Sequence, residues 1–143
     1  MSISGPERRG LLHCALQVPG HAGPVHAVCV HLGLREAHRA RQLARLCELI
    51  QRDVPAQAPL IVAGDFNDWR RRAHRTLSAG AGLHEVFVHA NGRAAKTFLV
   101  GMPMRQLDRI YVRNIASHIP MALPRMPWSR LSDHALLAAD VVL

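Results

Sequence analysis

The stretch Leu60-Ile61-Val62-Ala63-Gly64-Asp65-Phe66-Asn67-Asp68 carries the first residues whose types and placing suggest chemistry. Apolar residues and a glycine after Pro59 read as a short strand buried on both faces, and it ends abruptly in acids. An unpaired carboxylate inside a protein costs several kcal/mol, so a strand that delivers Asp65 and Asn67 to its exit is expected to build a site at the carboxyl end of a sheet. A lone Gly-Asp would serve equally as a polar turn after a core strand. Three further stretches bear on the choice: Val30-His31-Leu32 at a strand end, Leu107-Asp108-Arg109-Ile110 within a strand, and Ser132-Asp133-His134 entering one. Carboxylate, amide and imidazole at strand ends are groups that accept, orient and donate protons. Cys29 and His31 with His13 or His26 offer zinc as another use. His26 falls on the opposite face from Cys29 and His31, however, and no second Cys/His pair has the usual spacing.

The elements that must position these residues follow from periodicity. Leu11 to Val18 reads as a strand, residues 19–24 as a Pro/Gly turn, and Val25 to His31 as a second strand, together an antiparallel hairpin. From Leu34 to Arg52 the period becomes helical, with Ala40, Leu43, Ala44, Cys47 and Ile50 as the apolar stripe, Arg39 outside it, and Glu48 and Arg52 as an i,i+4 pair. Strand, helix and the strand at Leu60 make a crossover unit of a layered α/β fold. Trp69 to Ser78 is expected as a short helix capped by Asp68 and broken at Gly80-Ala81-Gly82. Its run Arg70-Arg71-Arg72 is either a solvated face or a phosphate contact. Leu83 to Ala90 fits either a helix or a strand, Thr97-Phe98-Leu99 is extended, and Leu107 to Val112, Ser117 to Leu123 and Ala135 to Val142 are expected as strands.

The 143 residues suit one domain, and 49% hydrophobic with 20% charged residues are values of a globular chain. Aromatics make up only 4%, which argues for an aliphatic core and against stacking platforms for single strands. The formal charge of +8 rests almost wholly on arginine, Lys96 being the only lysine. Guanidinium groups match phosphate oxygens, so anionic partners are favoured, although genomic bias toward arginine would leave the same excess. Cys14, Cys29 and Cys47 stand in apolar contexts without metal or redox spacing and read as buried, reduced thiols of a cytoplasmic protein. No run is long and apolar enough to span a membrane.

Taken in order, His31-Leu32-Gly33-Leu34, Gly64-Asp65-Phe66-Asn67-Asp68-Trp69, Leu107-Asp108-Arg109-Ile110-Tyr111-Val112 and Pro127-Trp128-Ser129 to Ser132-Asp133-His134 resemble the endonuclease/exonuclease/phosphatase superfamily, and within it the bacterial YbhP-like branch. That superfamily includes deoxyribonuclease I, abasic-site endonucleases, inositol polyphosphate 5-phosphatases and bacterial sphingomyelinases. The resemblance implies an α/β fold, the DNase I-like two-sheet α/β sandwich, here incomplete on its N-terminal side and spanning residues 7–143, with residues 1–6 a disordered start. It implies a Mg²⁺-dependent phosphoric ester hydrolase, with Mn²⁺ as a substitute, most simply a phosphodiesterase. By resemblance Asp65 activates water, Asn67 and His31 bind the phosphate, and Asp108 holds His134, which donates to the phosphate or leaving group. Asp133 and Asp65 are implied as metal ligands.

The chain departs from the family pattern at its start. The family's opening strands carry an Asn and then a Gln-Glu whose Glu is the principal metal carboxylate, and neither motif is present. Glu7 is not that ligand, because Arg8-Arg9-Gly10-Leu11-Leu12 matches the strand after those motifs. Part of the sandwich's inner face is therefore expected to stand uncovered and open to association. The alternative function is a catalytically inactive, truncated remnant acting as an anion-binding or structural module. The resemblance does not choose among nucleic acid, phospholipid and inositol phosphate as substrate. Met102-Pro103-Met104 and Met121 to Trp128 either line an apolar rim for a lipid-like substrate or pack against the core.

Overall fold

A computed structural model describes residues 9–70, 72–100, 104–121, 123–124 and 126–143. Readings placed on residues 1–6, Glu7, Arg71 and Met102-Pro103 lie outside the described residues. β1 (Gly10–Leu16) and β2 (Val25–His31) form the expected antiparallel hairpin, Gly10 opposite His31 and Leu16 opposite Val25. α1 (Glu36–Asp53) crosses over and β3 (Leu60–Asp65) returns parallel to β2. There follow α2 (Arg72–Ala81), β4 (His84–Glu85), α3 (Val86–Asn91), β5 (Asp108–Arg113), β6 (Ser117–Met121) and β7 (Ala138–Val142). The first sheet runs β1-β2-β3-β5-β4, and β6 and β7 form a second, antiparallel pair. This is the expected two-sheet α/β architecture.

The main core lies on the helical side of the large sheet, where Val28, Val30, Leu60, Val62 and Tyr111 join a cluster with Leu43, Leu46 and Ile50 of α1 and Ala73 and Leu77 of α2. On the other face, Val86, Phe87 and Val112 cluster with Ile61, Ile110, Leu137 and Val141, which ties the small sheet to β5 and α3. The rest of that face is open. Leu12 is 63% exposed, and Leu16, Cys14 and Cys29 are exposed too. The thiols of Cys14 and Cys29 are therefore not buried as expected, and Cys47 is half-buried, since strand periodicity says which residues share a face but not whether that face is covered. β3 likewise buries Leu60 and Val62 on one face, while Ile61 and Ala63 on the other are half-covered.

Several elements shift from their expected positions for local reasons. The buried residues of α1 are Arg39, Leu43, Leu46 and Ile50, while Ala40 and Ala44 face solvent. Arg39 turns inward because its guanidinium donates to the carbonyls of Gly33 (3.1 Å) and Leu34, which offsets its desolvation. Arg52 uses its fork on the carboxylate of Asp53, at 2.7 Å through both Nε and Nη2, in place of the expected pair with Glu48. Asp68 accepts the Ala73 N–H at 2.6 Å, so α2 starts at Arg72 and runs through Gly80 to stop before Gly82 at φ 63°. The ambiguous stretch after Leu83 holds both elements, β4 and then α3, the latter capped by the Glu85 carboxylate on Val88 N–H. β7 begins at Ala138 because the preceding residues pair elsewhere: Ala135 N–H donates to Thr97 O at 2.7 Å, and Phe98 bridges to His134. Among the described residues no helix is long and apolar enough to cross a membrane.

Candidate active site

Parallel pairing of β2 with β3 sets His31 opposite Asp65, and antiparallel pairing of β3 with β5 sets Asp65 opposite Asp108. Three of the residues singled out in the sequence thus stand in one row across three adjacent strands. Gly64 makes the row possible. Its φ is +138°, and a Cβ there would lie 2.0 Å from the Val30 carbonyl oxygen, so only glycine lets β3 approach β2 at this point.

Beyond Asp65 the chain alternates sharply. Phe66 is fully buried against Tyr111, ring centroids 5.3 Å apart, and Asp68 is buried as the cap of α2, while Asp65 and Asn67 stay partly exposed. Asn67 adopts a left-handed backbone at φ 48°, a region that asparagine tolerates. From there it donates twice to the Asp65 carboxylate, N–H to Oδ1 and Nδ2 to Oδ2, both at 2.8 Å, and Nδ2 also reaches Leu32 O at 2.9 Å. The loop is clamped from behind by Arg109, which is 1% exposed and donates to Asp68 O at 2.8 Å and Gln106 O at 3.2 Å. Arg109 was not singled out as a site residue, and nothing in an alternating strand marks an inward arginine whose partners are backbone carbonyls.

His134 joins the row from the stretch Ser132-Asp133-His134 ahead of β7. Its Nδ1 lies 2.7 Å from Asp108 Oδ2, and its ring packs 5.1 Å from that of Phe98. Nδ1 as the donor to the carboxylate leaves Nε2 as the nitrogen available to a ligand. His31 Nε2 stands 3.7 Å from Asp65 Oδ2, a charge contact when the imidazole is protonated. Thr97 steadies the start of β5, its hydroxyl oxygen accepting from the N–H groups of Leu107 and Asp108. A cavity of about 420 Å³ opens beside the row, with Gly64, Asp108, Ile110, Trp128 and His134 in its walls.

The electrostatics separate an acceptor from a donor. Burial raises the pKa of Asp65 above its ordinary value, and the nearby charge of Asp108 adds to this against the Asn67 N–H and the two histidines. A carboxylate so raised is a stronger proton acceptor. At His134 burial disfavours the charged ring, but the hydrogen bond and charge of Asp108, with Asp65 and Asp133 behind them, outweigh it and raise the pKa. His134 thereby holds its proton to higher pH than an ordinary imidazole.

The cation readings fare differently. Asp133 offers its backbone carbonyl to Val100 N–H at 2.8 Å and its charge to His134. Among the described residues no group of three or more His, Cys, Asp or Glu side chains is placed to hold a metal. The described carboxylates therefore do not make a closed metal site, and an ion such as Mg²⁺, which keeps several waters, could take at most one or two of them. Of the arginine run, Arg70 and Arg72 both pair with Glu36 at the start of α1.

Comparison with known proteins gives a consistent picture. The sequence profile of the Endonuclease/Exonuclease/phosphatase family matches residues 4–134. The uncharacterized protein YbhP of Escherichia coli is 50% identical over 143 residues, all of this chain and 56% of its own length. The chain thus spans about half the length of the curated relatives it matches. Among solved structures, Danio rerio TDP2 complexed with a single-strand DNA product shares the fold at a TM-score of 0.65 and 20% identity, over 92% of this chain and 60% of that one. Staphylococcus aureus beta toxin with bound magnesium ions aligns at a TM-score of 0.59 and 13% identity, over 81% of this chain and 47% of that one.

Proposed function

Because the chain belongs to the Endonuclease/Exonuclease/phosphatase family, we propose that it forms the phosphate-binding and proton-transfer portion of a metal-dependent phosphodiesterase. The observation that carries the reading is the row His31, Asp65 and Asp108 with His134 docked on Asp108 at 2.7 Å. Asp65, oriented by Asn67, takes the proton of a water as its oxygen bonds to phosphorus. The opposite phosphorus–oxygen bond breaks, and His134 gives its proton to the leaving oxygen. His31 hydrogen-bonds a nonbridging oxygen, whereas Asn67, both of whose Nδ2 hydrogens go to Asp65 and Leu32 O, acts by orienting Asp65 rather than by the phosphate contact expected from the resemblance. A bound Mg²⁺ or Mn²⁺ would neutralise charge on the phosphate, with Asp65 and Asp133 as the carboxylates from this chain. The cytoplasm, where thiols stay reduced, suits the unpaired cysteines.

A second reading, an anion-binding module without turnover, draws support from the open sheet face around Leu12 and Cys29, where a sandwich would carry further strands. Turnover of bis(p-nitrophenyl) phosphate by the intact protein with Mg²⁺ separates the two. Replacement of Asp65 or His134 by Ala is expected to lower kcat by roughly 10²–10⁴-fold with the fold retained. Full activity in both variants would sink the hydrolase reading, and no activity in the parent would favour the binding module.

A further inference from the structure

Trp69 stands immediately after the loop that presents Asp65 and Asn67, at most about 14 Å in Cα path from Asp65. Phe66 and Asp68 take the inward positions of that loop, and Trp69 remains 52% exposed. It is nonetheless held in place. The Arg105 guanidinium carbon sits 5.0 Å from the indole centroid and that of Arg70 6.0 Å. Arg105 is in turn fixed by its backbone, its N–H donating to Phe98 O at 2.7 Å, and Phe98 packs on His134. The indole is thus tied to both sides of the catalytic row, through the Asp65 loop on one side and through Arg105, Phe98 and His134 on the other.

We infer that Trp69 and Arg105 form a stacking subsite for the nucleobase of a nucleoside joined to the scissile phosphate. The inference rests on the phosphoester reading of the row. With 52% of the residue exposed even beside both guanidinium groups, the indole keeps open surface against which a base can stack, and a guanidinium already ordered against it adds little further ordering cost on binding. Arg70 shares Glu36, whereas among the described residues Arg105 has no carboxylate partner, so its charge is left to meet a phosphate flanking the base. Two guanidinium groups around the indole also argue against an acyl chain as occupant, since a chain lying there would strip water from their charges without pairing them. The scarcity of aromatics in the composition hides such a subsite, because one tryptophan at the right place is enough.

Calorimetric titration of the intact protein with adenosine 5′-monophosphate and with ribose 5-phosphate isolates the base from the phosphate. The parent is expected to bind the nucleotide about tenfold or more tightly than the sugar phosphate. Trp69→Ala should abolish that advantage without changing affinity for ribose 5-phosphate, and Trp69→Phe should keep most of it. Retention of ribose 5-phosphate binding certifies that the Ala variant is folded at the site. Equal affinity for the two ligands in the parent, no binding of either, or an adenine advantage that survives Trp69→Ala would overturn the subsite, as would tighter binding of a short-chain phosphatidic acid. A dinucleotide that gains over the mononucleotide assigns the base to a strand, and one that does not assigns it to a nucleotide ester. Diester turnover in Asp65→Ala judges the hydrolase reading separately, so absence of an adenine advantage in the parent with Asp65-dependent turnover intact removes the subsite alone.

Discussion

Asp65 and His134 titrate in the same direction from opposite causes. Burial, which disfavours the ionised carboxyl, raises Asp65, whereas at His134 the neighbouring carboxylates overcome burial and favour the cation. Below its raised pKa Asp65 is protonated and accepts no proton. The acid limb of kcat/KM for diester hydrolysis is therefore expected above the ordinary aspartate value of about 3.9. His134 keeps its proton to higher pH than an ordinary imidazole near 6.5, so the alkaline limb moves up as well. A pH–rate profile checks both, and an acid limb at or below the ordinary value would contradict the role of Asp65. At this scale the sequence singled out His31, Asp65, Asn67, Asp108 and His134 through four short stretches that together resemble the family, and the fold brings the five together. Arg109 and Arg39 were not, since both find their partners in carbonyls that only the folded chain brings near.

The meeting of β2, β3 and β5 turns scattered residues into a row, and Gly64 is the point at which it depends on a single atom. Gly64→Ala sets a Cβ against the Val30 carbonyl in a backbone region that L-residues avoid. The variant is expected to lose about 3 kcal/mol or more of stability, read from urea denaturation, and a loss below about 1 kcal/mol would show that the strands part easily there. Strand and crossover order could be read from the hydrophobic period, and the limits of β2 and β3 agree with it. Where elements moved, a specific bond moved them. The Asp68 cap reached Ala73 and displaced α2 toward the C-terminus, and the pairing of Ala135 with Thr97 kept that stretch out of β7. The helix face of α1 was misjudged because Arg39, a charged residue, buries itself among carbonyls.

Across the molecule, one face of the large sheet is covered by helices and the other only in part. Leu12 and Leu16 stand exposed beside Cys14 and Cys29 on β1 and β2, across β3 from the β5 region that the small sheet does cover. Such a patch favours contact with another apolar surface. The 143-residue chain by itself is expected to gain mass with concentration in sedimentation equilibrium, and Leu12→Lys with Leu16→Lys should hold it monomeric. A monomer at every concentration would show that the face is tolerated in water. The resemblance led to the expectation that part of this face stands uncovered, while the thiols on it were read as buried, because periodicity assigns faces and only tertiary structure covers them. The proposed phosphoryl-transfer centre depends above all on Asp108, which holds His134 at 2.7 Å. Its most direct test is Asp108→Asn in the intact protein with a phosphodiester substrate. The expected result is a fall in kcat of about 10–100-fold or more, with KM and melting temperature little changed; an unchanged kcat would contradict the account.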